Sequence, residues 1–221
     1  MTNDKSTKDL RFQALHAWVG ELFACKQLDI QPASADASFR RYFRVKHDGQ
    51  MFIIMDAPPD KEDSEPFVRI AGYLTEMNLN APRIIESDID KGFYLITDLG
   101  QRAYLDHLTD DTADQLYGDA MQALSVMHQA GHQYKDVIPA YDRDLLHTEM
   151  ELFSDWYLGR HYQIELNAEQ SLVLEASYDF LSATALEQPS VFVHRDYHSR
   201  NLMLVDSDNP GIIDFQDAVW G

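Results

Sequence analysis

The sequence predicts an α+β fold in two lobes, a small antiparallel β-rich lobe followed by a mainly helical one. Three observations carry that expectation. Two hairpin turn signals, Asp48-Gly49 and Asp90-Lys91-Gly92, each lie between β-rich stretches before Gly100. After Gly100, Leu, Met and aromatic residues recur at helical spacing. Short β-type segments return only from Val191 onward.

Taken in order, Leu15, Trp18, Val19, Leu22 and Phe23 mark the apolar face of an opening amphipathic helix. Phe39 to Val45 and Met51 to Met55 read as strands around the Asp48-Gly49 turn. Pro66 suits the first turn of a helix whose apolar face is Phe67, Ile70, Ala71 and Leu74. Pro82 closes that region, and Arg83 to Glu86 and Phe93 to Asp98 form a second hairpin. Either Thr109 or Thr112 caps the next helix, which carries Leu116, Ala120, Leu124 and Met127. Leu146, Met150, Phe153 and Tyr157 mark another, and Asn167 with Gln170 forms a capping box for a third that runs to about Ala185. These apolar stripes are expected to be core faces. Val191 to Val193, Asn201 to Val205 and Gly211 to Phe215 are short strands, the last two joined through the turn at 206–210. The lobes expected from this order are residues 1–100 and 101–221.

With 221 residues, 45% hydrophobic and 25% charged, the chain has the composition of a soluble globular protein large enough for a substantial core. Its net charge of −19 argues against nucleic acid or an anionic membrane surface as main partner, because both reward basic patches. The polar N-terminus lacks the apolar run of a signal peptide, and no stretch reaches the ~18 apolar residues of a membrane span. The single Cys25 makes no internal disulfide. A cytoplasmic location is expected, with a small molecule as partner and no protein partner inferred.

The chemistry concentrates in His194-Arg195-Asp196-Tyr197-His198-Ser199-Arg200-Asn201 and the following Ile213-Asp214-Phe215. Phosphoryl transfer to a hydroxyl needs a proton acceptor, oxygen ligands for Mg²⁺ and a fixed in-line geometry. A carboxylate and an amide five positions apart on one loop divide the first two tasks, Asp196 facing the acceptor hydroxyl and Asn201 the metal. Asp214, 18 positions after Asp196, supplies a second hard-oxygen ligand. His194, at a strand end, shapes the loop rather than reacts.

The order of these parts, with His198 between Asp196 and Asn201, resembles the aminoglycoside phosphotransferase superfamily of small-molecule kinases, which share the protein-kinase-like fold. The resemblance spans nearly the whole chain. It implies ATP and Mg²⁺ as cofactors, Asp196 as catalytic base, Asn201 and Asp214 as metal ligands, and His198 as a second loop-shaping histidine. A finer resemblance, to the bacterial amino-sugar kinases of cell-wall recycling, rests on Ser38 to Val45, Met55-Asp56-Ala57-Pro58-Pro59, Asp98-Leu99-Gly100, Leu152 to Tyr157, Val193 to Asn201 and Ile213 to Ala218. It implies transfer to the anomeric hydroxyl of free N-acetylmuramate or N-acetylglucosamine.

Kinase order also assigns the nucleotide contacts. The backbone of Asp98, Leu99 and Gly100 is the hinge that reads adenine. Ser34 to Ser38 replaces a glycine-rich loop, so phosphate contact falls to its backbone N–H groups and the Ser38 hydroxyl. Met55 stands where a phosphate-binding lysine is expected, and Arg41 or Arg44 supplies the missing charge. Asp-Phe-Gly reads Asp214-Phe215-Gln216. Superfamily members continue with further helices, so the C-terminal lobe is expected to be incomplete at Val219-Trp220-Gly221. Two other readings stay open beside the sugar kinase: a His194, Asp196 and His198 metal centre, and a kinase-like binding module that transfers nothing. Within the kinase class, an aminoglycoside or choline-type acceptor is the alternative.

Overall fold

In the computed structural model the structure describes residues 3–35 and 39–221. The opening helix α1 (Asn3–Leu22) precedes five strands and one helix: β1 (Ile30–Ala35), β2 (Arg41–His47), β3 (Gln50–Asp56), α2 (Glu65–Glu76), β4 (Ile84–Asp88) and β5 (Phe93–Thr97). The strands form one antiparallel sheet in the order β1-β2-β3-β5-β4. The β2–β3 hairpin closes with His47 opposite Gln50, and Asp48 and Gly49 both take positive φ, 47° and 83°. That is the mirror-image turn the Asp-Gly pair favours. Pro32 sits at a register shift in the edge strand β1, where a missing N–H costs the sheet nothing.

Strand alternation divides the sheet into two unlike faces. Phe43 and Val45 on β2, Ile54 on β3, and Phe93 and Leu95 on β5 join Leu15, Trp18 and Val19 of α1 in one core cluster. Arg41, two positions before Phe43, points to that same face. There its guanidinium meets Asp56, a fully buried carboxylate that also accepts from Arg11 Nε at 3.1 Å. Arg11 lies on α1 and donates as well to the Lys91 carbonyl at 2.8 Å. The helix is therefore held to the sheet by apolar burial and by one carboxylate shared between two arginines. Gly92, at φ +70°, is required at the neighbouring corner: a Cβ there would stand 1.9 Å from the Ala57 carbonyl oxygen.

The remaining helices are the single turn α3 (Tyr104–His107), α4 (Ala113–Ala130), α5 (Arg143–Leu152) and α6 (Ala168–Leu186). A π-helical stretch, Phe153–His161, continues α5. Asn167 and Gln170 form the reciprocal capping box of α6. Four two-residue strands follow, β6 (Phe192–Val193), β7 (Leu202–Met203), β8 (Gly211–Ile212) and β9 (Val219–Trp220), paired β6 with β9 and β7 with β8.

The apolar stripes fare differently. On α4, Leu116, Ala120 and Met127 are buried, as a core face requires. On α5 and its π-helical continuation the core expectation fails: Leu146 and Met150 are half-buried, and Phe153 and Tyr157 are exposed. Leu172, Val173 and Phe180 of α6 are exposed too, Phe180 to 70%. The two helices pack on one another. One helix–helix contact covers one stripe of each, and no element among the described residues covers the rest.

By compactness the chain divides into residues 1–124 with 196–216, and residues 125–195 with 217–221. The first unit thus holds the sheet together with Asp196 to Gln216.

Candidate active site

The chemistry-bearing loop is assembled by short-range backbone bonds. The His198 N–H donates to the Asp196 carbonyl at 3.0 Å, and the Asn201 N–H to the His198 carbonyl at 2.9 Å. From the flank, the Leu105 N–H donates to the Ser199 carbonyl at 3.0 Å, and the Tyr197 hydroxyl to the Ala120 carbonyl at 2.7 Å. Burial pushes the Tyr197 phenol well above its ordinary value, so it stays a neutral donor. His198 enters these bonds through its backbone N–H and carbonyl, and its side chain is exposed. His194 is buried at 2% exposure in the strand-end position expected of it. Arg195 takes φ +73°, a costly conformation for a residue with a Cβ, and its guanidinium Nε bonds Glu149 of α5 at 3.0 Å.

The β7–β8 hairpin then brings the metal-ligand candidates together. Its register places Leu202 opposite Ile212, and the Ile213 N–H donates to the Asn201 carbonyl at 3.0 Å. Asn201 and Asp214 consequently emerge side by side. Asn201 Nδ2 donates to Asp214 Oδ2 at 3.0 Å and to the Asp196 carbonyl at 3.1 Å. With its nitrogen held by two acceptors, the amide presents Oδ1 on the other side. Gln216 Nε2 donates to Asp214 Oδ1 at 3.0 Å, and Asp214 itself takes φ +61°. A side-chain amide oxygen beside a carboxylate is the hard-oxygen pair that suits Mg²⁺. Among the described residues no three His, Cys, Asp or Glu side chains stand together as a metal site, so a His194, Asp196 and His198 centre is not assembled.

Asn201 and Asp214 line a cavity of about 520 Å³. Its apolar wall includes Ile53, Ile96, Met203, Ile213 and Phe215, and the ring of Phe215 stacks on Phe67 of α2 with centroids 5.1 Å apart. The expected hinge residues Asp98, Leu99 and Gly100 line it as well. Asp196, His194 and His198 do not. Ser38 lies outside the described residues. Arg41 requires a correction: strand alternation turns it to the α1 face, against Asp56, away from the cavity. Arg44, with Tyr42 on the opposite face of β2, is the arginine that lines the cavity. Its guanidinium is committed to the expected hinge segment: Nε donates to Asp98 Oδ2 at 2.5 Å, and Nη2 to Asp98 Oδ1 and the Gly100 carbonyl, each at 3.0 Å.

Sequence reasoning missed the support of the β7–β8 turn. Asn209 Nδ2 donates to the Tyr104 hydroxyl at 2.6 Å and to Asp119 Oδ2 at 2.8 Å, while the Asn209 carbonyl-side oxygen accepts from the Val205 N–H at 3.2 Å. Tyr104 is fully buried, and burial pushes its phenol up to about 12, opposed by the Asn209 bond and reinforced by the Asp119 charge. Asn in a turn signals only local bonding, and nothing in the sequence connects it with residues 90 and 105 positions away.

The five-stranded antiparallel sheet followed by helices, with the paired amide and carboxylate on a cavity wall, is the architecture of a kinase-like phosphotransferase fold. A family model for the phosphotransferase enzyme family matches residues 29–221, and the chain belongs to that family. It is similar to the N-acetylmuramate/N-acetylglucosamine kinase of Pseudomonas aeruginosa, 45% identical over 96% of this chain and 65% of that protein. The kinases of the same name from Pseudomonas putida and Neisseria meningitidis are 42% and 34% identical, over 96% and 94% of this chain and 65% and 62% of theirs. The chain thus spans about 65% of the length of the first of these relatives. Among solved structures, ADP-bound aminoglycoside phosphotransferase APH(2'')-Ib superposes with a TM-score of 0.66 at 18% identity, over 94% of this chain and 71% of that one. The streptomycin-ATP complex of APH(2")-IIa superposes with 0.63 at 17% identity, over 94% and 71%. At that identity the likeness establishes the fold. No helix among the described residues is long and apolar enough to cross a membrane.

Proposed function

We propose that this chain carries the catalytic machinery of an ATP-dependent sugar kinase that phosphorylates the anomeric hydroxyl of N-acetylmuramate or N-acetylglucosamine. The observation that carries the kinase reading is the Asn201–Asp214 pair on the wall of a cavity also lined by the hinge. The acceptor rests on the 45% identity to a kinase named for those two sugars.

In this reading the apolar walls at Ile53, Ile96 and Met203 hold the base, and the hinge backbone reads its edge. Asn201 and the Asp214 carboxylate would hold Mg²⁺, which would neutralise charge on the transferring phosphoryl group. The exposed Asp196 carboxylate accepts the proton of the sugar hydroxyl as the oxygen attacks the γ-phosphorus and the bond from that phosphorus to the bridging oxygen breaks, releasing ADP. Its position is set by the two bonds its own carbonyl receives, from the His198 N–H and the Asn201 amide. The lobe boundary at 100/101 and a cytoplasmic location belong to the same reading.

The test is ATP consumption with N-acetylmuramate, N-acetylglucosamine, an aminoglycoside and choline offered in turn. Phosphorus NMR of the product then locates the phosphate. The expected result is turnover with the two amino sugars and phosphate on the anomeric oxygen. Phosphate on a ring hydroxyl, or turnover only with another acceptor, sinks the amino-sugar reading. A second reading, a nucleotide-binding module without transfer, is favoured by Met55, fully buried where a phosphate-binding lysine is expected. Nucleotide binding with no turnover of any acceptor supports it.

A further inference from the structure

We infer that Arg44 is a positioning residue for nucleotide binding, a latch that sets the hinge, and not the replacement for the missing phosphate-binding lysine. The inference rests on the kinase reading of the cavity. Arg44 stands opposite Ile53 of β3, and Ile53 opposite Ile96 of β5, so the three share one rung and one face of the sheet. From that rung its side chain reaches across β3 to the segment just past β5. There one guanidinium fork takes both Asp98 oxygens and the Gly100 carbonyl. Asp98 Oδ1 also accepts from the Gly100 N–H at 2.8 Å. Gly100 adopts φ +90°, a conformation that only glycine takes without strain.

Two consequences follow. The side chains of Arg44 and Asp98 are 13% and 5% exposed, and the Nε and Nη2 edge of the guanidinium is spent on the hinge; a phosphate at that edge would have to compete with a desolvated bidentate partner. In addition, both backbone groups of Gly100 are engaged within the protein, its N–H by Asp98 and its C=O by Arg44. The edge of the base is therefore read by backbone groups of Asp98 and Leu99. The latch holds that short segment in one conformation before the base arrives, which lowers the ordering cost of binding.

The experiment compares affinities for ATP and for adenosine, which has the base and no phosphates, by calorimetry on the wild-type chain, Arg44→Ala, Arg44→Lys and Asp98→Asn. Arg44→Ala is expected to weaken both ligands by a similar factor, about tenfold. Arg44→Lys keeps the charge but loses the fork, and is expected to weaken both by a smaller, again matched, factor. It gives the same comparison if Arg44→Ala does not fold. Arg44→Ala and Asp98→Asn combined should cost less than the sum of the two, as partners in one unit do. Loss of ATP affinity with adenosine unchanged would assign Arg44 to the phosphates and overturn the inference. Unchanged affinity for both ligands overturns it too, while leaving the kinase reading intact. A wild-type chain that binds neither ligand removes the kinase reading and the inference with it.

Discussion

Asn201 and Asp214, 13 positions apart, meet at 3.0 Å because the β7–β8 hairpin sets them at the mouth of the same antiparallel pair. The contact is made by a strand register of only two residue pairs, so small changes in the hairpin reach the site directly.

The first prediction concerns that pair. Asp214→Ala is expected to lower phosphoryl transfer by about 10³-fold or more, since it removes the only charged member of the proposed ligand pair. Asn201→Ala is expected to be milder and to raise the Mg²⁺ concentration needed for half-maximal rate. A Mg²⁺ titration of turnover in each variant checks both; an unshifted Mg²⁺ dependence in Asn201→Ala would show that the amide is not a ligand.

Asp196 is expected to separate chemistry from binding. Asp196→Asn should reduce kcat by roughly 10²–10⁴-fold, the range of a lost general base. ATP affinity should stay within about threefold, because the side chain does not line the cavity that holds the hinge. Single-turnover rates beside calorimetric ATP affinity make the measurement, and an unchanged kcat removes Asp196 from the mechanism.

Asp56 is a stability residue. Its carboxylate is fully buried between Arg11 and Arg41, so Asp56→Ala removes the one negative charge that these two guanidinium groups share. The expected cost is about 3 kcal/mol. Arg11→Ala should cost less, because Asp56 keeps Arg41. Urea unfolding of the three proteins checks the order, and equal stability for all three would show that the shared carboxylate does not hold α1 to the sheet.

Tyr104 makes stability fall in alkali. Its folded phenol is raised to about 12, mainly by burial, so the folded state resists ionisation that the unfolded chain undergoes near 10. The contribution is complete below pH 10 and is lost as the pH rises from 10 to about 12, where the unfolded chain has shed a proton that the folded one retains. Two units correspond to roughly 3 kcal/mol. Tyr104→Phe has nothing to ionise there, so the stability advantage of wild type over variant should shrink by about that amount across the window. A difference that stays constant with pH would contradict the burial of the hydroxyl.

Much of this was legible in the chain. The Asp-Gly turn, the Asn167–Gln170 capping box and the α2 face were readable because each is fixed by neighbours within a few residues. The Asp196, Asn201 and Asp214 spacing was readable because a loop and a hairpin are also local. The exposed faces of α5 and α6 were not, since periodicity reports that a stripe is apolar and never says what covers it.

The arginines of β2 divide what each level decided. The sequence by itself determined that this strand carries cations, that it belongs to an antiparallel sheet, and that an amide and two carboxylates follow at kinase spacing. It left Arg41 and Arg44 as alternatives, although three positions on a strand with a period of two put them on opposite faces. Only the tertiary structure decided which face meets α1 and which meets the cavity. That choice depends on partners such as Asp56, Asp98 and Leu15, whose proximity comes from burial summed over the whole sheet and from no local pattern. The outcome sends Arg41 into a structural ion pair and Arg44 to the hinge.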